Sequence, residues 1–448
     1  MTTTGEPDGG PPDAVSPSSH GERTPTRREA TSLWARLGLL SFGGPAAQIA
    51  LMHRMLVEER GWLDERRFLR ALSFCMLLPG PEAMQLATYA GWRLHGVVGG
   101  LVAGLLFVLP GAAIVLTLAI LYATLGETAL VETLFFGVRA AVLVIVVQAL
   151  SRVASRALVT TAHRLVAAFA FVALFFLALP YPSVILAAAL AGWFARETEE
   201  DEGIDVSAAA GFTENVSLSA TARTVGVWLA AWWLPVPALD ALTVQPILGE
   251  LARFFSTLAV VTFGGAYAVL AYLAQDIVTR LGWLTSTEVL DALALAETTP
   301  GPLILVTEFV GFLAAFRAGG LWSGLLGALV TLWVTFVPCF LWIFAGAPYL
   351  DWLSSRPRLR GALAAITAAV VGVMLNLSLW FALHVLFAGV TPERLGPLTL
   401  WTPAWSTLDW RLLGLTLVCA VLTFRFRVGV VTLLGFAAVA GAFLRLIG

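Results

Sequence analysis

The chain has no lysine at all: its 27 basic residues are all arginine. Charge of either sign is scarce, at 12% of 448 residues, where soluble domains carry roughly 25%. So little charge cannot solubilise a chain of this size. Cysteine is nearly absent. Cys75, Cys339 and Cys419 stand far apart and form no C-x-x-C pair, which removes dithiol and metal-thiolate frameworks and leaves small apolar packing residues. The five histidines show neither HxxxH nor HExxH spacing, so no metal site is expected. No GxxxxGK[ST] segment occurs, which excludes P-loop ATP hydrolysis by this chain. A membrane-embedded reductase would need a cofactor or redox pair, and no haem or flavin motif supplies one. The expectation is a protein that is not an enzyme and holds no cofactor, and nothing here points to nucleic acid.

What the chain has instead is apolar sequence. Hydrophobic residues make up 58%, and runs such as 97–125 and 321–344 exceed the ~20 residues needed to cross a bilayer. Residues 1–31 are rich in Pro, Gly, Ser and Thr without an apolar start, and read as a disordered cytoplasmic tail. Six acidic residues between Glu197 and Asp205, followed by Ser, Ala and Gly, mark 197–223 as a flexible linker. It divides a first transmembrane repeat, 32–196, from a connecting transmembrane segment, 224–247, and a second repeat, 248–448.

The repeat is written in the glycines. Phe42-Gly43-Gly44, Gly61-Trp62-Leu63 and Pro79-Gly80-Pro81 recur as Phe263-Gly264-Gly265, Gly282-Trp283-Leu284 and Pro300-Gly301-Pro302, at a constant offset of 221 residues. Further on, Gly137-x-x-Ala140-Ala141 matches Gly361-x-x-Ala364-Ala365. Internal duplication in an apolar chain points first to transport. The two Trp residues are expected at headgroup level.

Arginine placement gives a topology. Arg-rich stretches before Leu33, between His53 and Arg70, at Arg93, from Arg152 to Arg164 and at Arg196 belong in the cytoplasm, while the turns 126–132 and 180–182 carry none. Segments 33–57 and 68–94 then begin and end on one side. That requires re-entrant hairpins broken at Gly43-Gly44-Pro45 and Pro79-Gly80-Pro81, where glycine turns the chain and proline starts the returning half-helix. Four full spans follow in each half, and the segment 224–242 adds the odd crossing that inverts the second. The fold expected is all-α and polytopic: two inverted-topology repeats with re-entrant hairpins and about nine full spans. The N-terminus is cytoplasmic and the C-terminus periplasmic.

Each returning half-helix presents free N–H groups and the positive end of a helix dipole, and four such tips near the midplane favour an anion. Candidate substrate ligands are Gly43, Gly44, Pro79, Gly80, Pro81, Gly264, Gly265, Pro300, Gly301 and Pro302, with Gln48, Gln85 and Thr298 as hydrogen-bond donors. Tight packing of kinked helices accounts for the same glycines without a ligand. Arg139, alone in the apolar run 135–147, supplies a full positive charge opposite the tips or snorkels to an interface. Glu82, Glu297 and Glu308 are intramembrane carboxylates suited to proton coupling.

These motifs together, Phe42-Gly43-Gly44-Pro45, Leu77-Leu78-Pro79-Gly80-Pro81-Glu82 and their second-half counterparts, resemble the chromate ion transporter family in its long two-domain form. The resemblance covers nearly the whole chain outside the tail and linker. It implies export of chromate from the bacterial cytoplasm across the inner membrane, conferring chromate resistance. It carries the family's Gly and Pro motifs onto the positions named above and its basic residue onto Arg139. Sulfate shares chromate's charge and shape, so either oxyanion is a candidate. The other expected partner is the lipid bilayer, with a homodimer left open. A passive anion channel with the same helix-tip site is the alternative. Gly80→Leu and Gly301→Leu are each expected to abolish transport in protein still inserted, as read by anion flux beside a membrane-fraction blot. Normal flux in both removes the tips from the site.

Overall fold

The computed structural model describes residues 25–126, 128–195, 217–242, 245–261, 263, 270, 272–273, 276–350 and 356–446. It is helical nearly throughout, as apolar sequence requires where backbone groups must be satisfied within their own segment. The first half comprises α1 (Arg27–Leu40), α2 (Gly44–His53), α3 (Glu65–Leu77), α4 (Glu82–Leu125), α5 (Ala129–Ala157), α6 (Thr161–Phe175) and α7 (Tyr181–Phe194). α8 (Leu218–Trp233) and α9 (Pro235–Leu242) lead to α10 (Pro246–Val261), α11 (Ser286–Thr298) and α12 (Val306–Gly346). α13 (Pro357–Leu386), α14 (Trp410–Phe424) and α15 (Val430–Leu446) complete the second half.

Several expectations change at the edges. Helix α1 begins inside the expected tail, because Thr26 and Glu29 form a reciprocal capping box. Helix α8 likewise begins inside the expected linker, at Leu218. The chain is not purely α-helical: β1 (Val390–Leu395) pairs antiparallel with β2 (Leu398–Pro403) around Gly396, whose φ is 63°. The two-residue Gly396-Pro397 turn is the sequence signal for that hairpin. Among the described residues four helical segments have the length and composition to cross a bilayer: 82–125, 131–157, 303–349 and 357–386. Helices α6, α7, α14 and α15 are apolar but only 15, 14, 15 and 17 residues long. At 1.5 Å per residue they reach roughly 21–26 Å, short of the ~30 Å hydrocarbon core.

Matching positions in the two halves carry matching backbone. Gly80 and Gly301 have φ of 116° and 98°, and Gly61 and Gly282 have 60° and 62°. A wide turn closes by Trp62 N–H donating to Leu56 O and by Trp283 N–H donating to Ile277 O, both at 2.9 Å. Trp62 and Trp283 are buried by protein (6% and 9% exposed); Trp283 packs edge-on to Phe254 at 5.5 Å.

Helix α4 is two arms. At His95-Gly96 the dihedrals leave the helical region, with Gly96 at φ 64°, and Gly319-Gly320 repeats this in α12 with Gly320 at φ 73°. In a straight helix Thr88 and Gly104 would be ~24 Å apart. Here a Cβ on Gly104 would lie 2.5 Å from Thr88 Oγ1, so the chain doubles back. In α12 a Cβ on Gly327 would lie 2.5 Å from Ala315 Cβ, the same fold-back.

The halves interlock. Gly137 of α5 has no room for a side chain against Ala437 and Gly441 of α15, and Gly361 of α13 closes in the same way on Gly192 of α7. One apolar core runs through both halves. Large apolar side chains cover the outside, Val439 at 71%, Phe443 at 63% and Leu109 at 51% exposed among them, as a lipid-facing surface requires.

The loop joining α2 to α3 is pinned by His53, whose Nδ1 lies 3.0 Å from Glu58 Oε1 and whose Nε2 lies 2.6 Å from Glu65 Oε2. The bond to Glu65 does most to raise the imidazole pKa above its ordinary 6.5. A raised folded-state pKa stabilises below the unfolded value and is lost as pH rises through the folded one. His53→Gln is therefore expected to lower the melting temperature at pH 6 and to converge with the parent at alkaline pH. A pH-independent difference in melting scans would remove the titration.

Candidate functional site

Three helix breaks meet. The first follows α1, where Ser41 ends the helix and Gly43 and Gly44, with φ of 88° and 78°, turn the chain into α2. The second, Leu78–Pro81, joins α3 to α4. The third, Thr299–Pro302, joins α11 to a short 3₁₀ turn, Leu303–Leu305, that runs into α12. The first and third touch directly: Gly301 N–H donates to Ser41 O at 2.9 Å. Gln48, 1% exposed, bridges them, its Nε2 donating to Gly301 O at 2.6 Å and to Ser41 O at 3.2 Å. Gln85, fully buried, braces the second break by donating from Nε2 to Pro79 O at 2.7 Å. A Cβ on Gly80 would sit 2.9 Å from that Nε2 and 3.0 Å from Cys339 Sγ. Beneath Pro300, Gly111 of α4 leaves no space for a side chain.

Pro45 and Gln48, Pro81, Glu82 and Ala83, and Pro302 and Leu303 enclose a cavity of about 10 Å³. These are the first residues of three helical segments, one from each break. None of the three N-termini has a side-chain cap, and the same holds for α5, α7, α8 and α13; α1, α3, α6, α11 and α14 are capped by Thr26, Asp64, Thr160, Thr285 and Asp409. Uncapped N–H groups and helix-dipole ends from three segments lend the cavity positive character, set against the Glu82 carboxyl on its wall. Its volume corresponds to about one water molecule, so the site is closed.

The sequence candidates fall into different places. Gly43, Gly44, Pro79, Gly80, Pro81, Pro300, Gly301 and Pro302 build the breaks around the cavity, and Glu82 lines it. Gly264 and Gly265 lie outside the described residues. Gln48 and Gln85 spend their amide donors on break carbonyls and leave Oε1 unpartnered, and Gln48 also lines the cavity. Thr298 donates back into its own helix, to Leu295 O at 2.9 Å. Glu297 is buried on α11. Glu308, 1% exposed on α12, keeps Oε2 without a protein partner.

Arg139 is elsewhere. It does not line the small cavity, and it does not snorkel. Its Nε and Nη2 donate to Asp291 Oδ1 and Oδ2 of α11 at 2.9 and 3.0 Å, and Tyr122 OH donates to Asp291 Oδ2 at 2.8 Å. Beside this triad lies a larger cavity of about 340 Å³. The sequence reading missed Asp291 and Tyr122. An isolated acid in the apolar stretch 289–296 was the available signal, as strong as that of Arg139 in its own helix.

The sequence profile described as "Chromate transporter" matches twice, over residues 29–193 and 249–442. The chain belongs to the chromate transporter family. Its relatives include the chromate transport protein of Cupriavidus metallidurans, 30% identical over 81% of this chain and 85% of the relative. That of Pseudomonas aeruginosa is 32% identical over 84% and 86%. A probable chromate transport protein of Synechococcus elongatus is 31% identical over 78% and 82%. No solved structure matches. Family membership and the apolar helices make this a multi-pass membrane transporter rather than an enzyme.

Gln48→Leu removes two hydrogen bonds and takes from the buried Gly301 carbonyl its side-chain donor, while Ser41 O keeps the N–H of Gly301; an unpaired buried carbonyl costs about 1–3 kcal/mol. A lower melting temperature in detergent than the parent is the expected outcome. No change would show that Gln48 does not tie the breaks.

Proposed function

We propose that this chromate transporter family member is a secondary transporter that exports chromate, and related tetrahedral oxyanions such as sulfate, across the bacterial inner membrane. Chromate resistance follows from export. The observation that carries the reading is the meeting of three uncapped helix N-termini, drawn from both halves, on one buried cavity. An oxyanion is what such a site takes, because N–H groups and dipole ends supply positive character without a titratable cation. The relatives named as chromate transport proteins supply the candidate within that class.

In this reading the two halves are inverted repeats, the breaks are tips of re-entrant hairpins, and the shorter apolar helices join the long ones to make about nine crossings. The Arg-rich loops face the cytoplasm with the N-terminus, and the C-terminus is periplasmic. The closed cavity suits a carrier that alternates between states rather than a passive channel. Opening the tips breaks the hydrogen bonds of Gly301 to Ser41 and to Gln48, at a net cost of about 0.5–1.5 kcal/mol each, which an anion seated on three N-termini offsets. Glu82 at the cavity and the buried Glu297 and Glu308 carry the coupling protons.

Purified protein in liposomes, given chromate under an imposed pH gradient with sulfate as competitor, tests this directly. Saturable, gradient-responsive chromate flux that sulfate inhibits is expected, with flux reduced at least about tenfold when Glu82, Glu297 and Glu308 are all changed to Gln. No chromate flux from folded, inserted protein overturns the substrate. Full flux and full pH response in the triple variant overturns the proton route.

A further inference from the structure

The larger cavity is not at the tips. Tyr122, Gly126, Val131, Glu132, Phe135, Arg139, Thr287 and Asp291 line a space of about 340 Å³, many times the ~30 Å³ share of one water. It opens near the turn after α4 and the start of α11. Its walls come from both halves: α4 and α5 on one side, α11 on the other. The groups facing it nearly cancel in charge. Glu132 is 3.6 Å from Arg445 of α15, and Glu288, on the outer turn of α11, pairs with Arg317. That leaves Arg139 and Asp291, neutralising one another across the halves.

We propose that the Arg139–Asp291 pair is an anion-operated latch: a tetrahedral oxyanion entering this cavity takes the Arg139 guanidinium from Asp291 and so releases α11. The proposal rests on the oxyanion-transport reading above and adds a second anion seat and a moving part to it. Three observations carry it. The guanidinium uses Nε and Nη2 on Asp291, while Nη1 has no protein partner among the described residues, so an anion can land before the pair breaks. The planar fork that matches a carboxylate matches an oxyanion equally well. Asp291 is 1% exposed, so once Arg139 turns to the anion its carboxylate is buried beside a second negative charge, and α11 must move. Asp291 stands two turns, ~10 Å, before Thr298 on that helix, whose end is the Thr299–Pro302 tip. Withdrawing α11 therefore pulls on the tip bound to Ser41 and Gln48.

The device exists on one side only. The positions matching Arg139 and Asp291 in the other halves are Leu363 and Arg70, which cannot form such a pair. One gate is ionic and its counterpart is not.

The test is chromate titration of the full-length protein in detergent, read by thermal stabilisation and by direct binding, with sulfate as a second probe. If the latch competes with the anion, weakening it tightens binding. Tyr122→Phe removes one hydrogen bond from Asp291 and is expected to lower the apparent Kd several-fold; Asp291→Asn lowers it about tenfold or more. Adding Arg139→Gln to Asp291→Asn abolishes the gain. If both single variants bind chromate as the parent does, or more weakly, while the parent still transports it, the latch is wrong and the transport reading stands. If the double variant keeps the gain, Arg139 is not the anion's seat and the proposal falls. If the parent neither binds nor moves chromate or sulfate, the transport reading fails and takes the latch with it. Should Asp291→Asn not fold, Tyr122→Phe alone decides.

Discussion

Breaking a helix inside an apolar protein leaves carbonyl and N–H groups that hydrocarbon cannot satisfy, each at a cost of several kcal/mol. The rest of the architecture depends on how those groups are met. Here the breaks meet each other. Ser41 O accepts from Gly301 N–H, and Gln48 spans both, so each half supplies what the other lacks. The break carbonyls of Ser41, Pro79 and Gly301 are paired, while three helix starts without side-chain caps face one cavity, with Glu82 the ionisable side chain on its wall.

This division explains the roles of the polar residues near the site. The buried glutamines hold carbonyls, the glycines permit the turns, and the prolines stand at the start of the segments that follow without an N–H to lose. The ionic chemistry lies apart, where Arg139, Asp291 and Tyr122 join the halves beside the larger cavity. The cavity at the breaks and the ion pair are thus separate features of the fold.

The sequence made the breaks legible because glycine and proline act locally. A positive φ at Gly80 or Gly301 is a property of that residue, and a repeated Pro-Gly-Pro shows it. It did not show partners that arise only when distant segments pack. Nothing in the run around Arg139 names Asp291, 152 residues away, and nothing around Gln48 names Gly301. Trp62 and Trp283 illustrate the same limit: beside arginines they read as interfacial anchors, but tertiary packing buries them. The β-hairpin around Gly396 carried a local signal in its Gly-Pro turn, masked by the surrounding apolar helices.

The interlocking of the halves has a consequence for how the protein is made. The groove at Gly137 in α5 is filled by Ala437 and Gly441, residues synthesised about 300 positions later. At roughly 5–20 residues per second, α5 stands in the bilayer for about 15–60 s before its mate exists. During biogenesis the first half must therefore persist with its glycine faces filled by lipid or by an insertion factor. Final assembly waits for the last helix to leave the ribosome.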